Sequence, residues 1–457
     1  MTLTKAAANR FIKDNQATVS QKFRPQVHFA APIGWINDPN GLVYFQGYYH
    51  LFYQYNPYQA TWDTMHWGHA RSKDLSVWED LPVALAPDQE YDRDGVFSGS
   101  ALVVADRLYL MYTGHIIHDD GTITENQNIA YSDDGLHFEK YANNPVLAAK
   151  DLPTGASTKD FRDPKLVHHG NKFYAVIASS YRNETGQILL FESKDLLHWQ
   201  FKSVVLDHLQ ELGMIAECPD LFSFENKDAM IFSAIGHQDD THEVKIALGE
   251  MDWDKGVFYP QRIQTLDQGA DFYAPQTFEH QGRRVLISWL RHASATNYLA
   301  DRQQKWNGQM GTPRLLTIDE KGDLNQTPVL PAGVQQELLL AEKEAVTLPT
   351  ACAISLVQSL KFKRPITLAG NDGQIILQRT SAYEYELLVQ SSTEQRKVQI
   401  IADSQQKVTL ILDRSSVEVF VGESTVASLV YFFESGIKSL TSAENNLKVD
   451  LITFSKL

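Results

Sequence analysis

One segment recurs along the first half of the chain at nearly constant spacing, and it restricts the fold more than any other feature. The copies are Ala70-Arg71-Ser72-Lys73-Asp74-Leu75-Ser76-Val77-Trp78, Ala130-Tyr131-Ser132-Asp133-Asp134-Gly135-Leu136-His137-Phe138 and Phe191-Glu192-Ser193-Lys194-Asp195-Leu196-Leu197-His198-Trp199. Ser72, Ser132 and Ser193 stand 60 and 61 positions apart, and a worn copy follows at Gly249-Glu250-Met251-Asp252-Trp253. Each copy comes after a short apolar run, at 49–53, 108–112, 173–177 and 230–232, and a fifth such run lies at 285–290. Self-similarity at a period of tens of residues is the mark of repeated supersecondary units that bury their apolar faces only against their neighbours.

Each unit also opens on a strand of its own. The openings are Asn37-Asp38-Pro39-Asn40, Phe97-Ser98-Gly99-Ser100, Arg162-Asp163-Pro164-Lys165, Glu217-Cys218-Pro219-Asp220 and Tyr273-Ala274-Pro275-Gln276. Five units of roughly four short strands, without long helices between them, fit radial repetition rather than a doubly wound sheet. The predicted class is all-β: a five-bladed β-propeller over 23–326, then a C-terminal antiparallel β-sandwich over 343–457. In a propeller the first strand of every blade lines the axis, so the five openings would face one another in one funnel. Residues 1–22 read as an extension with one short helix, placing Ala7, Ala8, Phe11 and Ile12 on one face. The Pro- and Gly-containing stretch 327–342 reads as a linker, with a short helix over 334–340 that buries Val334, Leu338 and Leu339. After residue 345 the period is lost, and alternating runs such as Tyr383-Glu384-Tyr385-Glu386-Leu387 and Ser416-Val417-Glu418-Val419-Phe420 suggest the sandwich.

The net charge of −15 excludes a nucleic acid or an anionic membrane as partner. The one basic cluster, Lys361-Phe362-Lys363-Arg364, is short. No apolar run is long enough to span a bilayer. Residues 1–10 are polar and Ala-rich with no apolar signal-peptide core. Cys218 and Cys352 suggest neither a disulfide framework nor a zinc site. These features predict a cytoplasmic protein with reduced thiols, no metal and no cofactor. Aromatic residues make up 11% of the chain. Most suit a β-rich core, and a minority suit stacking on sugar rings.

Three acids stand in the openings: Asp38, Asp163 and Glu217. Alone, each has a structural alternative. Asp38 caps the Pro39-Asn40-Gly41 turn, Asp163 pairs with Arg162, and Glu217 caps a turn before Pro219. Together, in separate units, they read as a catalytic constellation. Their register is imperfect, since Asp38 and Asp163 directly precede a proline and Glu217 precedes its proline by two; a bulge would absorb this. Paired carboxyls among aromatics, with no metal motif, point to glycoside hydrolysis. The apolar stretch Met214-Ile215-Ala216 would desolvate Glu217 and suit it to the acid role. Asp38, between Asn37 and Asn40, should stay ionised and suits the nucleophile.

These motifs, with Trp35-Ile36-Asn37-Asp38-Pro39-Asn40-Gly41, Asp271-Phe272-Tyr273-Ala274-Pro275-Gln276 and Asp413-Arg414-Ser415-Ser416-Val417-Glu418, resemble those of glycoside hydrolase family 32, the β-fructofuranosidases. The resemblance runs from about residue 24 to the C-terminus. It implies a five-bladed propeller plus sandwich and release of terminal β-D-fructofuranosyl units from sucrose or short fructo-oligosaccharides. It implies Asp38 as nucleophile, Glu217 as acid/base and Asp163 as a transition-state stabiliser, with retention of configuration. Asn37, Gln54, Trp62, Phe97, Ser98, Arg162 and Tyr273 match substrate contacts. Trp62 is followed by Asp63 where the family has Gly, which alters that loop. Trp67 and Trp289 are open between pocket and core. Sucrose 6-phosphate is a rival substrate, requiring a cation at the funnel mouth. A non-catalytic carbohydrate-binding propeller is the reading from another class, and a homodimer stays open.

Overall fold

The recurring Ser-x-Asp segment is a turn. Ser72 Oγ accepts the Leu75 amide, and Asp74 Oδ1 accepts the amides of Ser76 and Val77. Ser132 with Asp134, and Ser193 with Asp195, repeat these bonds. The residue after each Asp has φ near +69°: Leu75, Gly135 and Leu196. This is the left-handed conformation that local capping by Asp makes tolerable for leucine. In every case the turn joins the third strand of a sheet to the fourth.

The computed structural model describes residues 3–236, 242–356, 364–402 and 407–455, so 361–363 of the short basic cluster lie outside the described residues. The chain is all-β. Among the described residues, five sheets of four or five strands come first, antiparallel but for one short pairing, and two six-stranded sheets follow. The first strands of the five sheets are β1 (Gly34–Phe45), β2 (Gly95–Val104), β3 (Ala156–His169), β4 (Ile215–Ser223) and β5 (Phe272–His280). Each touches the next, and β5 touches β1, so the five strands form a closed ring. A late segment, Trp306–Asn307, pairs in parallel with Gly34 and Trp35 of β1. The first sheet is thus completed by chain that follows the fifth.

A helix, α1 (Lys5–Asn15), is capped by Thr4 Oγ1, which accepts the Ala7 amide at 3.2 Å. It buries Ala8, half-buries Ala7, Phe11 and Ile12, and docks through Asn9 on the Val83 amide. Among the described residues no helix is long and apolar enough to cross a membrane.

The helix predicted over 334–340 is instead a strand, Gly333–Leu340, paired antiparallel with Leu447–Phe454. At the edge of its sheet, it leaves Val334 and Leu339 72% and 59% exposed on opposite faces, while Leu338 packs partly against the core and Leu340 is buried. Period 2 replaces period 3.6 because the partner strand supplies the backbone hydrogen bonds. The predicted linker shrinks accordingly: Leu324–Pro328 closes the fifth sheet, leaving 329–332 before the next strand. The two six-stranded sheets share one apolar core that includes Ile354, Ile366, Leu387, Leu410, Val419 and Leu429.

A buried ionic network joins these two sheets to the first five. Asp413 Oδ2 accepts the amides of Val27 and His28 and bonds His28 Nδ1 at 3.0 Å. His28 Nε2 lies 2.9 Å from Glu418, and Arg314 bridges Glu418 at 3.0 Å and Asp267 at 2.8 Å. The motif Asp413-to-Glu418 is therefore a clasp between the two parts of the chain. The carboxylates overcome burial and push His28 up to about 9, while His28 and Arg314 hold Glu418 down at about 2. The folded state keeps the His28 proton more tightly than the unfolded chain does. Its contribution is complete below the ordinary value of 6.5 and is lost as pH rises through about 9. The Glu418 contribution is complete above 4.5 and is lost as pH falls through about 2. The thermal midpoint should therefore fall between pH 6.5 and 9, and His28→Asn should flatten that limb. An equally steep limb in the variant would show that His28 is not its source.

Candidate active site

The five openings stack in register as four layers of the ring. The pairing of each first strand slips within its opening, between Ile36 and Pro39, Phe97 and Gly99, Arg162 and Lys165, Glu217 and Asp220, and Tyr273 and Gln276. A bulge of this kind leaves residues unpaired and turns their side chains off the sheet. Asp163, Cys218 and Ala274 sit at these slips with φ of 63°, 48° and 48°, a strained conformation for non-glycine residues. Arg162, Glu217 and Tyr273 are each the last paired residue before the slip in their strands, so the bulges do not absorb the offset of Glu217 from Asp163. Asn37, Phe97, Arg162, Glu217 and Tyr273 form one layer. Asp38, Ser98, Asp163, Cys218 and Ala274 form the next, and Glu217 stands one layer away from the other two acids.

The layer after the prolines stitches the ring. Asn40 Oδ1 accepts the Gly99 amide at 3.2 Å, and Ser100 Oγ donates to the Pro164 carbonyl at 2.8 Å. Lys165 Nζ bonds Asp220 at 2.9 Å, and Gln276 Nε2 donates to the Gly99 carbonyl at 2.9 Å. Each side chain comes from a different first strand, so this layer fixes the geometry of the two above it.

Asp38 is half-buried and held from two sides. Ser98 Oγ donates to its Oδ2 at 2.6 Å, and Asn37 Nδ2 donates to its Oδ1 at 3.1 Å. Trp35 Nε1 donates to Asn37 Oδ1 at 2.8 Å and so orients that amide. Asn40, expected beside Asp38, is turned to Gly99 instead. Burial pushes the Asp38 carboxyl up, the bonds from Ser98 and Asn37 pull it down, and Glu217 pushes it up again. Asp163 is buried, and its Oδ2 accepts the Cys218 amide at 2.9 Å. Cys218 Sγ lies 3.6 Å from Asp38 Oδ2 and 3.5 Å from Asp163 Oδ2, so this thiol sits between the two acids. Burial, then the neighbouring Glu217, push Asp163 up to about 8, against the pull of Arg162.

Glu217 is surrounded differently from what its sequence neighbours suggested. Ile215 and Ala216 are buried on opposite faces of β4, and Met214 is exposed. The carboxyl instead meets a cation and a phenol. Arg162 Nε and Nη2 donate to Oε1 at 3.1 and 2.9 Å, and the Tyr273 hydroxyl donates to Oε2 at 2.7 Å. Burial and Glu217 itself keep that hydroxyl protonated.

The remaining predicted contacts divide. Phe97 is half-buried, 6.0 Å from the Trp62 ring and stacked at 4.2 Å on His115. Trp62 is 56% exposed, a ring standing clear of the fold. Gln54 is buried and donates to the Val96 carbonyl at 3.0 Å, next to Phe97. Trp67 and Trp289 are core: Trp67 is fully buried and holds the Phe97 carbonyl, and Trp289 packs edge-on to Trp35. Asp271 faces away from the acids. It accepts Arg396 at 2.7 Å and the Val430 amide at 2.7 Å, fastening the six-stranded sheets.

Sequence reasoning missed Glu125, Asp160 and His115. Arg162 Nη1 bonds Glu125 at 3.3 Å and Asp160 at 3.0 Å, and His115 lies 3.3 Å from Glu125. A signal was present: Glu125-Asn126-Gln127-Asn128 is a run of four buried polar residues inside a strand. Such a run demands partners.

Two carboxyls around one thiol, beside a third clamped by an arginine and a tyrosine, form a site able to attack one face of a small ligand and protonate it from another. The profile of the glycosyl hydrolases family 32 N-terminal domain matches residues 28–328. A sucrose-6-phosphate hydrolase of Zymomonas mobilis is 32% identical over 91% of this chain and 87% of its own length. A raffinose invertase of Escherichia coli is 34% identical over 89% of both chains. Among solved structures, a mutant of a Bombyx mori family 32 β-fructofuranosidase, in complex with sucrose, has a TM-score of 0.87 at 32% identity. That likeness covers 99% of this chain and 98% of the other. The chain therefore belongs to glycoside hydrolase family 32, as an enzyme of the β-fructofuranosidase type.

Proposed function

We propose that this enzyme releases terminal β-D-fructofuranosyl units from sucrose and short fructo-oligosaccharides with retention of configuration. The five small sheets are the blades of a five-bladed propeller, a reading supported by the closed ring of β1 to β5. The two six-stranded sheets form a C-terminal sandwich, supported by their shared core. The free, buried Cys218 and Cys352 fit a reducing, cytoplasmic setting.

The observation that carries the mechanism is the meeting of Asp38 and Asp163 at Cys218, with Glu217 close enough to push both carboxyls up. Asp38 attacks the anomeric carbon of the fructosyl unit, and the bond to the bridging oxygen breaks. Glu217 gives its proton to that oxygen, and the leaving sugar departs. Water then gives a proton to Glu217 and attacks the same carbon, releasing fructose and the Asp38 carboxylate. Pushed up to about 8 by burial and by Glu217, the Asp163 carboxyl holds a proton at neutral pH. Asp163 lies beneath the sugar and bonds its hydroxyls. Asn37, Ser98, Phe97 and Trp62 hold its other edges, and Arg162 and Tyr273 aim Glu217.

Glu217→Gln should lower kcat on sucrose by about 10²–10⁴-fold, the usual share of general acid catalysis. An aryl fructoside, whose leaving group needs no proton, should lose far less in the bond-breaking step. Equal losses on both substrates in single-turnover measurements would remove Glu217 from the acid role. Absence of any fructose release by the parent enzyme would favour the carbohydrate-binding reading.

A further inference from the structure

One cation beside the acids has no acid of its own. Arg291 follows the strand Arg283–Leu290 of the fifth sheet. Its guanidinium lies 4.9 Å from the Tyr273 ring centre and 5.9 Å from that of Trp289. Its Nε is buried with no hydrogen-bond partner. Among the described residues its side chain donates no hydrogen bond and meets no carboxylate, and its terminal nitrogens are not among the buried atoms. Arg162, by contrast, is shared by Glu125, Asp160 and Glu217. Glu394, which reaches the adjoining His292, is taken by it at 3.0 Å and by Arg396 at 2.8 Å.

A buried donor without an acceptor is costly, and an arginine packed on rings is the weakly hydrated fork that suits phosphate oxygens. The position gives the fork its partner. The Tyr273 ring that carries Arg291 bonds Glu217, the group that protonates the departing oxygen. One tyrosine ring thus separates Arg291 from the leaving-group side of the site. A chain of net charge −15, with Asp38, Asp163, Glu217, Glu125 and Asp160 around its funnel, repels an anionic sugar unless such a cation receives it.

We propose that Arg291 is a specificity-determining residue that binds a phosphate ester on the leaving hexose, so that sucrose 6-phosphate is preferred to sucrose. This rests on the β-fructofuranosidase reading above. The rim that bears Arg291 is fixed from the sandwich, since Asp271 holds both the Ala293 amide and Arg396.

The test is the ratio of kcat/KM on sucrose 6-phosphate to that on sucrose. The parent enzyme should favour the phosphate, and Arg291→Gln should lower the ratio by about tenfold or more. Arg291→Lys should restore part of it, and thermal melts should report a folded protein throughout. Should Arg291→Gln not fold, inhibition of the parent enzyme supplies the answer. Glucose 6-phosphate should bind more tightly than glucose, and the difference should shrink with added salt. A ratio unchanged in Arg291→Gln, or no phosphate preference in the parent enzyme, would overturn the proposal. No fructose released from either sugar would instead overturn the underlying reading.

Discussion

Replacing Asp38 with Ala is expected to lower kcat on sucrose by about 10⁴-fold or more, with the fold retained. The loss is large because no other carboxylate can replace it. Asp163 is bonded to the Cys218 amide and pushed up to about 8, and Glu217 is clamped a layer away by Arg162 and Tyr273. Asp38 is aimed by two uncharged donors, Ser98 and Asn37. The fold survives because the ring is stitched one layer below Pro39, by Asn40, Ser100, Lys165, Asp220 and Gln276. Removing a carboxyl that burial and Glu217 disfavour should leave the thermal midpoint unchanged or raised. Activity within about tenfold of the parent enzyme would remove Asp38 from the nucleophile role.

The second large effect falls on stability. Arg314 is fully buried between the two parts of the chain, bonded to Asp267, Glu418, Ser428 and Gln326. Its guanidinium also lies 4.6 Å from the Phe272 ring centre. Arg314→Met keeps the apolar stem but leaves the two acids without their shared cation. The expected cost is about 3–5 kcal/mol, since breaking a buried pair strands its partner. It should appear as a lower urea midpoint. Lys448→Ala, which removes an exposed pair with Glu337, is the internal control and should shift nothing measurable. Equal small shifts in both would mean that the clasp is not what couples the two parts.

The layout of this site was legible in the sequence because every first strand writes it in the same four positions. Proline marks the slip in four of the five openings, and the Ser-x-Asp turn marks the far end of three sheets. The depth of each acid was not legible. Counting from the proline places Glu217 with Arg162 and Tyr273, and only the pairing shows that the offset is real. Glu125 was hidden because a buried acid on a third strand resembles any solvated one until its partner, Arg162, is brought across from another sheet. The helix expected over 334–340 failed for a similar reason. Its leucines and glutamines suit a helix, but the pairing strand, Leu447–Phe454, lies at the other end of the domain. Local propensity yields to such distant partners.

The parallel pairing of Gly34 and Trp35 with Trp306 and Asn307 sets an order on the making of the enzyme. Asp38 leaves the ribosome first among the three acids, yet its strand gains its last neighbour only when Trp306 has emerged. A nascent chain that stops after the fourth sheet holds all three acids on an open ring. The ring thus closes only with chain made after all three acids: β5, and then a two-residue strand that contributes no reactive group.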